Sequence, residues 1–148
     1  MNPLNGYDIE DLSVGMSAEI SKTITDADIV MFSGVSTDIN AVHLNEEFGK
    51  TTMFGGRIAH GMLTASLISA VVGNKLPGAG CIYVGQTLKF KAPVRPGDTV
   101  TAKATVKEVM VDKCRVILDT VCTVAGKVVI EGEATMMPSS RARREAGK

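Results

Sequence analysis

The sequence predicts an α+β domain in which an antiparallel sheet bends around one buried helix. Two observations carry that prediction. Met62 to Val72 is apolar on every side except for its hydroxyls, as expected of a helix that is buried all round. Everything after Gly80 then reads as strand, in four segments separated by turn residues.

Taken in order, Met16 to Thr23 alternates Met16, Ala18 and Ile20 with Ser17, Glu19 and Ser21, which suits a strand with one wet face. Thr25 follows as a helix N-cap with Asp26 and Asp28 in the first turn, so a helix is expected to run to about Ser36. Ile29, Val30, Phe32 and Val35 supply its packed face. Thr37 to His43 reads as a loop, because Asp and Asn favour local side-chain bonds over helix continuation. A short helical turn is expected around Asn45 to Lys50. The apolar helix from Met62 is stopped by Gly73-Asn74 and Pro77-Gly78. The strands are expected at Cys81 to Lys91, Asp98 to Val109, Lys113 to Val124 and Lys127 to Met137. Pro96-Gly97-Asp98 and Ala125-Gly126-Lys127 mark turns, so consecutive antiparallel hairpins are expected. The whole chain, 1–148, reads as one domain, with the charged tail at 139–148 expected to fray.

Sixteen basic and sixteen acidic side chains cancel among 148 residues, so no global field points to nucleic acid or an anionic membrane. The N-terminus lacks a basic region followed by an apolar run, so no signal peptide is expected. The longest weakly polar run, Gly61 to Gly73, is too short for a membrane span. A soluble cytoplasmic protein is therefore expected. Cys81, Cys114 and Cys122 follow no zinc-ligand spacing and read as small hydrophobes in a reducing compartment. Neither histidine needs a metal to explain it, and no metal site is expected.

Chemistry concentrates in Ser36-Thr37-Asp38-Ile39-Asn40-Ala41-Val42-His43 and in Arg57-Ile58-Ala59-His60-Gly61-Met62. Asp38, Asn40 and His43 bring a carboxylate, an amide and an imidazole within six residues, able to hold and deprotonate a water. Gly61, at a helix start, offers an amide N–H and the positive end of a dipole to a developing oxyanion. Together these parts can add water across a polarised double bond. The simpler readings are an Asx-turn at Asp38, a satisfied core histidine at His43, and a plain helix-start glycine at Gly61. His60 reads as a structural hydrogen-bonding residue, and Ser66 as bonding back to its own helix. Lys89, Lys91, Arg95 and Arg57 read at least as well as a solvated edge as they do as a phosphate-binding set.

The spacing Asp38, Asn40, His43 and then His60-Gly61-Met62 resembles the signature of the MaoC-like (R)-specific enoyl-CoA hydratases, the hydratase-2 family. The likeness continues through Leu76-Pro77-Gly78, Tyr83-Val84-Gly85-Gln86, Lys89-Phe90-Lys91 and Pro93-Val94-Arg95-Pro96-Gly97-Asp98, covering roughly residues 15 to 135. The resemblance implies a hotdog fold, a homodimer pairing sheets edge to edge, and no cofactor. It implies reversible hydration of trans-2-enoyl-CoA to (R)-3-hydroxyacyl-CoA, with acyl carrier protein as the other candidate carrier. It further implies that Asp38, Asn40 and His43 manage the water and Gly61 the oxyanion. Ser69, Val72 and Met62 would line the acyl pocket; the small Ala70, Val71 and Val72 would deepen it and Met62, Leu63, Ile82 or Tyr83 could fill it again, with short-chain acyl groups expected. A hotdog thioesterase, or a non-catalytic hotdog subunit of a heteromeric dehydratase, is the alternative.

Overall fold

The computed structural model describes residues 1–147. Its elements are a short 3-10 turn at Ile9–Asp11, β1 (Ser17–Thr23), α1 (Asp26–Ser36), α2 (Ala41–Leu44), α3 (Glu46–Lys50), α4 (Gly61–Asn74), β2 (Ile82–Gln86), β3 (Lys89–Phe90), β4 (Thr99–Met110), β5 (Arg115–Val124), β6 (Lys127–Met137) and α5 (Arg141–Ala146). The strands form one antiparallel sheet in the order β1-β4-β5-β6-β2, with β3 also on β6.

The inner face of that sheet follows from period-two alternation. Val100, Ala102, Ala104 and Val106 on β4, and Val116, Leu118 and Cys122 on β5, are buried while their neighbours are less so. Against them lie Leu63, Leu67, Ile68, Val71 and Val72 of α4. Burying each such aliphatic side chain contributes roughly 1.5–3 kcal/mol, so this helix–sheet seam is the main stabilising contact of the molecule. The alanines on β4 let the helix approach closely.

Four expectations need correction. On α1, Val30 and Val35 are 59% and 86% exposed, so the packed face is Ile29, the half-buried Phe32 and Ser33. α4 is not buried all round: Met62 is 56% exposed, and Ser66 and Ser69 follow it on the same open stripe. The hydroxyls mark that stripe, and Ser66 donates to the Leu63 carbonyl of its own helix.

The segment after Gly80 is two strands, not one, and makes no hairpin with β4. Both β2 and β3 pair with β6 instead. The break comes at Thr87, whose carbonyl oxygen would lie 1.8 Å from a Cβ on Gly132. Only glycine permits that approach, and the pairing resumes in the same register at Lys89 opposite Glu131. β2 is thereby an edge strand, exposing Ile82, Tyr83 and Val84.

The charged tail does not fray up to Ala146. Ser140 caps α5, whose Arg144 forms a fork with the buried Asp8 while Arg141 pairs with Asp11. Glu10 accepts from Ser140 Oγ and from the backbone amides of Arg141 and Ala142. The Arg144 guanidinium holds the Asp8 carboxyl down to about 2. Burial pushes Glu10 up, but the hydrogen bonds from Ser140 and the backbone outweigh it and bring the carboxyl to about 2. Lys148, the last residue of the expected tail, lies outside the described residues.

Candidate active site

Local side-chain bonds shape the loop that carries the carboxylate. α1 ends where Ser36 Oγ donates to the Phe32 carbonyl and Thr37 turns into the left-handed region at φ 65°. The Asp38 amide then donates to Ser36 Oγ, and the Asn40 amide donates to Asp38 Oδ1. Asn40 in turn caps α2, its Oδ1 accepting from the Val42 amide. The role of Asn40 in the geometry is thus to start the helix that carries His43.

His43 is buried, and its Nδ1–H donates to the Ile58 carbonyl at 2.8 Å. A carbonyl oxygen only accepts, so this bond sets the tautomer and leaves Nε2 bare. The Ile58 amide returns a bond to the Val42 carbonyl, tying the strand-like approach to α4 onto α2. Donor atoms of Asp38, His43 and His60 all lie within 4.8 Å of one another, a span one water can bridge. These three side chains also have the spacing of cation ligands. His43 and His60 each already give one ring N–H to a carbonyl, and Asp38 Oδ1 accepts from the Asn40 amide, a donor set suited to a shared water.

Gly61 opens α4, and among the described residues its amide and that of Met62 have no acceptor. Those N–H groups and the helix dipole make a place for negative charge. A Cβ on Gly61 would lie 2.6 Å from Phe90 Cε1, so the absence of a side chain is what keeps the helix start open. Asp38, His60, Gly61 and Met62 share the lining of a cleft of about 580 Å³ with Met53, Phe54, Ile58, Phe90, Val94 and Ile130. The walls are apolar and suit an acyl chain.

Asp38 is thus brought to His43 on one side and shares the cleft with Gly61 on the other; His43 itself is not among the residues lining the cleft, and Asn40 lies one bond behind. Ser69 and Val72 are not among the residues lining this cleft: Ser69 lies on the exposed stripe of α4, and Val72 is fully buried against the sheet. The walls that sequence reasoning missed, Met53, Phe54 and Phe90, come from one loop and a two-residue strand with no periodic signal. Arg57 is bound to Asp26 and Glu46, and Arg95 donates to the Phe54 carbonyl. Lys91 lines the cleft and sits 3.5 Å from Glu131.

A MaoC-like domain model matches residues 12–131. The (R)-specific enoyl-CoA hydratase of Rhodospirillum rubrum is 58% identical over 132 residues, covering 89% of this chain and 92% of that protein. The (R)-specific enoyl-CoA hydratase of Aeromonas caviae is 43% identical, covering 86% of this chain and 96% of that one. Among solved structures, the unliganded R-hydratase PhaJ1 of Pseudomonas aeruginosa superposes with a TM-score of 0.87 at 42% identity, covering 92% of this chain and 88% of that one. The sheet wrapped on α4 is the hotdog fold of these hydratases, and the chain belongs to the MaoC-like domain family.

Proposed function

We propose that this protein is an (R)-specific enoyl-CoA hydratase, adding water reversibly to trans-2-enoyl-CoA. The observation that carries the reading is the meeting of Asp38 and His43 with the open start of α4 beside an apolar cleft. Close relatives bear the names (R)-specific enoyl-CoA hydratase and 3-hydroxybutyryl-CoA dehydratase.

In the proposed reaction the water donates hydrogen bonds to the Asp38 carboxylate and to bare His43 Nε2. Its oxygen bonds to C3 of the enoyl group as one proton passes to the pair. The C2–C3 π electrons move toward the thioester, and the enolate oxygen accepts the Gly61 N–H. The pair then returns the proton to C2, leaving the (R)-3-hydroxyacyl thioester. No cofactor enters the proposed reaction. One donor at the oxyanion contributes roughly 10²–10³ in rate.

The reading includes a homodimer, supported by the exposed β2 edge and the open stripe Met62, Ser66 and Ser69 on α4. Pairing there would cover Ser69 and bring a second copy near the cleft. It also includes short-chain substrates, a coenzyme A carrier and a cytoplasmic location. None of the described helices is long and apolar enough to cross a membrane.

Incubation with crotonyl-CoA tests the reading. Loss of the conjugated enoyl absorbance, with (R)-3-hydroxybutyryl-CoA as product, is expected. Release of free thiol without loss of the enoyl group would point to a thioesterase and overturn it.

A further inference from the structure

His60 lines the cleft beside Asp38, and its two ring nitrogens have unlike surroundings. Nε2 lies 2.9 Å from the Asp38 carbonyl oxygen and 3.0 Å from Ser33 Oγ. Because a carbonyl only accepts, Nε2 carries the hydrogen. Nδ1 is buried and has no partner among the described residues. A proton there would be a buried N–H with no acceptor, a costly arrangement, so the ring is neutral with Nδ1 bare.

His43 has the opposite form, with Nδ1–H on the Ile58 carbonyl and Nε2 bare. The two imidazoles stack with centroids 3.9 Å apart and planes at 28°, and Phe32 meets the far ring edge-on at 4.9 Å. Two imidazolium ions at that separation would repel strongly, so a neutral His60 leaves His43 free to accept a proton.

We infer that His60 is a positioning residue for hydration. Its Nε2–H holds the backbone of Asp38 while its neutral ring face seats His43, so that both meet one water. One side chain thus sets the distance between carboxylate and imidazole. A core-filling histidine would need neither the donated bond nor the stacked face. The inference rests on the hydratase reading above.

The test compares the wild type with His60→Leu, His60→Gln and His60→Asn in steady-state hydration of crotonyl-CoA. Glutamine returns an N–H near the Nε2 position, whereas the shorter asparagine ends near Nδ1. His60→Leu should lose about 100-fold in kcat, the scale of a 1 Å misplacement, with KM changed less than about threefold. His60→Gln should recover at least tenfold of that loss, and His60→Asn should not. Nitrogen-15 spectra of the wild type should give His60 as the neutral Nε2–H tautomer. Equal kcat for the glutamine and asparagine variants, a loss confined to KM, or an Nδ1–H tautomer would each overturn the inference. If leucine prevents folding, the glutamine–asparagine pair still decides. A wild type that does not hydrate crotonyl-CoA would defeat the hydratase reading instead, and the spectra would still report the tautomer.

Discussion

Asp38 and His43 act on one water only if each stays where its own small turn holds it. Asp38→Asn keeps the shape and the bond from the Asn40 amide but removes the charge, and His43→Ala removes the bare nitrogen. Each should lower kcat by about 10²–10⁴-fold with the fold retained, as measured by crotonyl-CoA turnover and circular dichroism, and His43→Ala should also lower the melting temperature because it empties a buried site and unpairs the Ile58 carbonyl. Near-normal turnover by either folded variant would break the pair assignment. A different residue bears on stability. Thr64 Oγ1 is buried without a partner among the described residues, so the isosteric Thr64→Val should be neutral or stabilising by about 1 kcal/mol. A fall in stability by thermal melt would mean that the hydroxyl is satisfied after all. Burial also pushes the Cys122 thiol up to about 11. Reagents that need a thiolate should therefore leave it untouched in the folded protein at neutral pH.

At the start of α4, Gly61 and Phe90 compete for the same space. Gly61→Ala retains the amide that would meet the oxyanion, yet its methyl group must displace the Phe90 ring from the cleft wall. We expect a loss in kcat/KM of about 10²-fold for Gly61→Ala, because a small misplacement at the reacting centre is costly. Adding Phe90→Ala should return part of that loss, and strictly additive losses in the double variant would argue against the clash. The helix itself was legible in the sequence, as were β4, β5 and β6, because strict alternation at Val100, Ala102 and Ala104 or at Val116 and Leu118 leaves one register to choose. What the pattern did not carry was the partner of β2, which depends on Gly132 letting Thr87 cross close to β6. The motif spacing of Asp38 and His43 likewise anticipated that their side chains lie close together. The walls of the cleft were hidden because Met53 and Phe54 meet Phe90 only after two distant segments have folded. Val72 illustrates the limit from the other side: a helix position one residue from the open stripe turns into the core, and residue type alone does not say which.

Across the whole molecule, the two ends are fastened by charge. Asp8 is buried and Arg144 reaches it from α5, so Arg144→Ala would leave a buried carboxylate with only the Ser139 hydroxyl and a more distant Arg141, whereas Asp8→Asn would leave an arginine that can turn to water. The arginine change should therefore cost more in denaturant unfolding, and equal costs would refute the burial argument. Asp8 and Glu10 are both held low when folded, so the unfolded chain binds more protons in acid. Their contribution is complete above the ordinary carboxylate range near pH 4 and is lost as pH falls toward about 2. Beside this clasp, β2 presents Ile82, Tyr83 and Val84 to solvent at the sheet edge, and a dimer is expected by sedimentation at assay concentration; a fully active monomer would oppose it. The strand order has a further consequence for how the chain is made. β1 and β2 emerge from the ribosome before β4 and β6, the strands on which they pair, with Ser17 waiting for Thr105 and Ile82 for Met137. Through most of synthesis, then, α4 carries its apolar face without the sheet that will cover it, and the loop bearing Asp38 and His43 cannot take its final shape. A nascent chain arrested at Val124 should be protease-sensitive throughout, and one released beyond Met137 should become resistant in a single step.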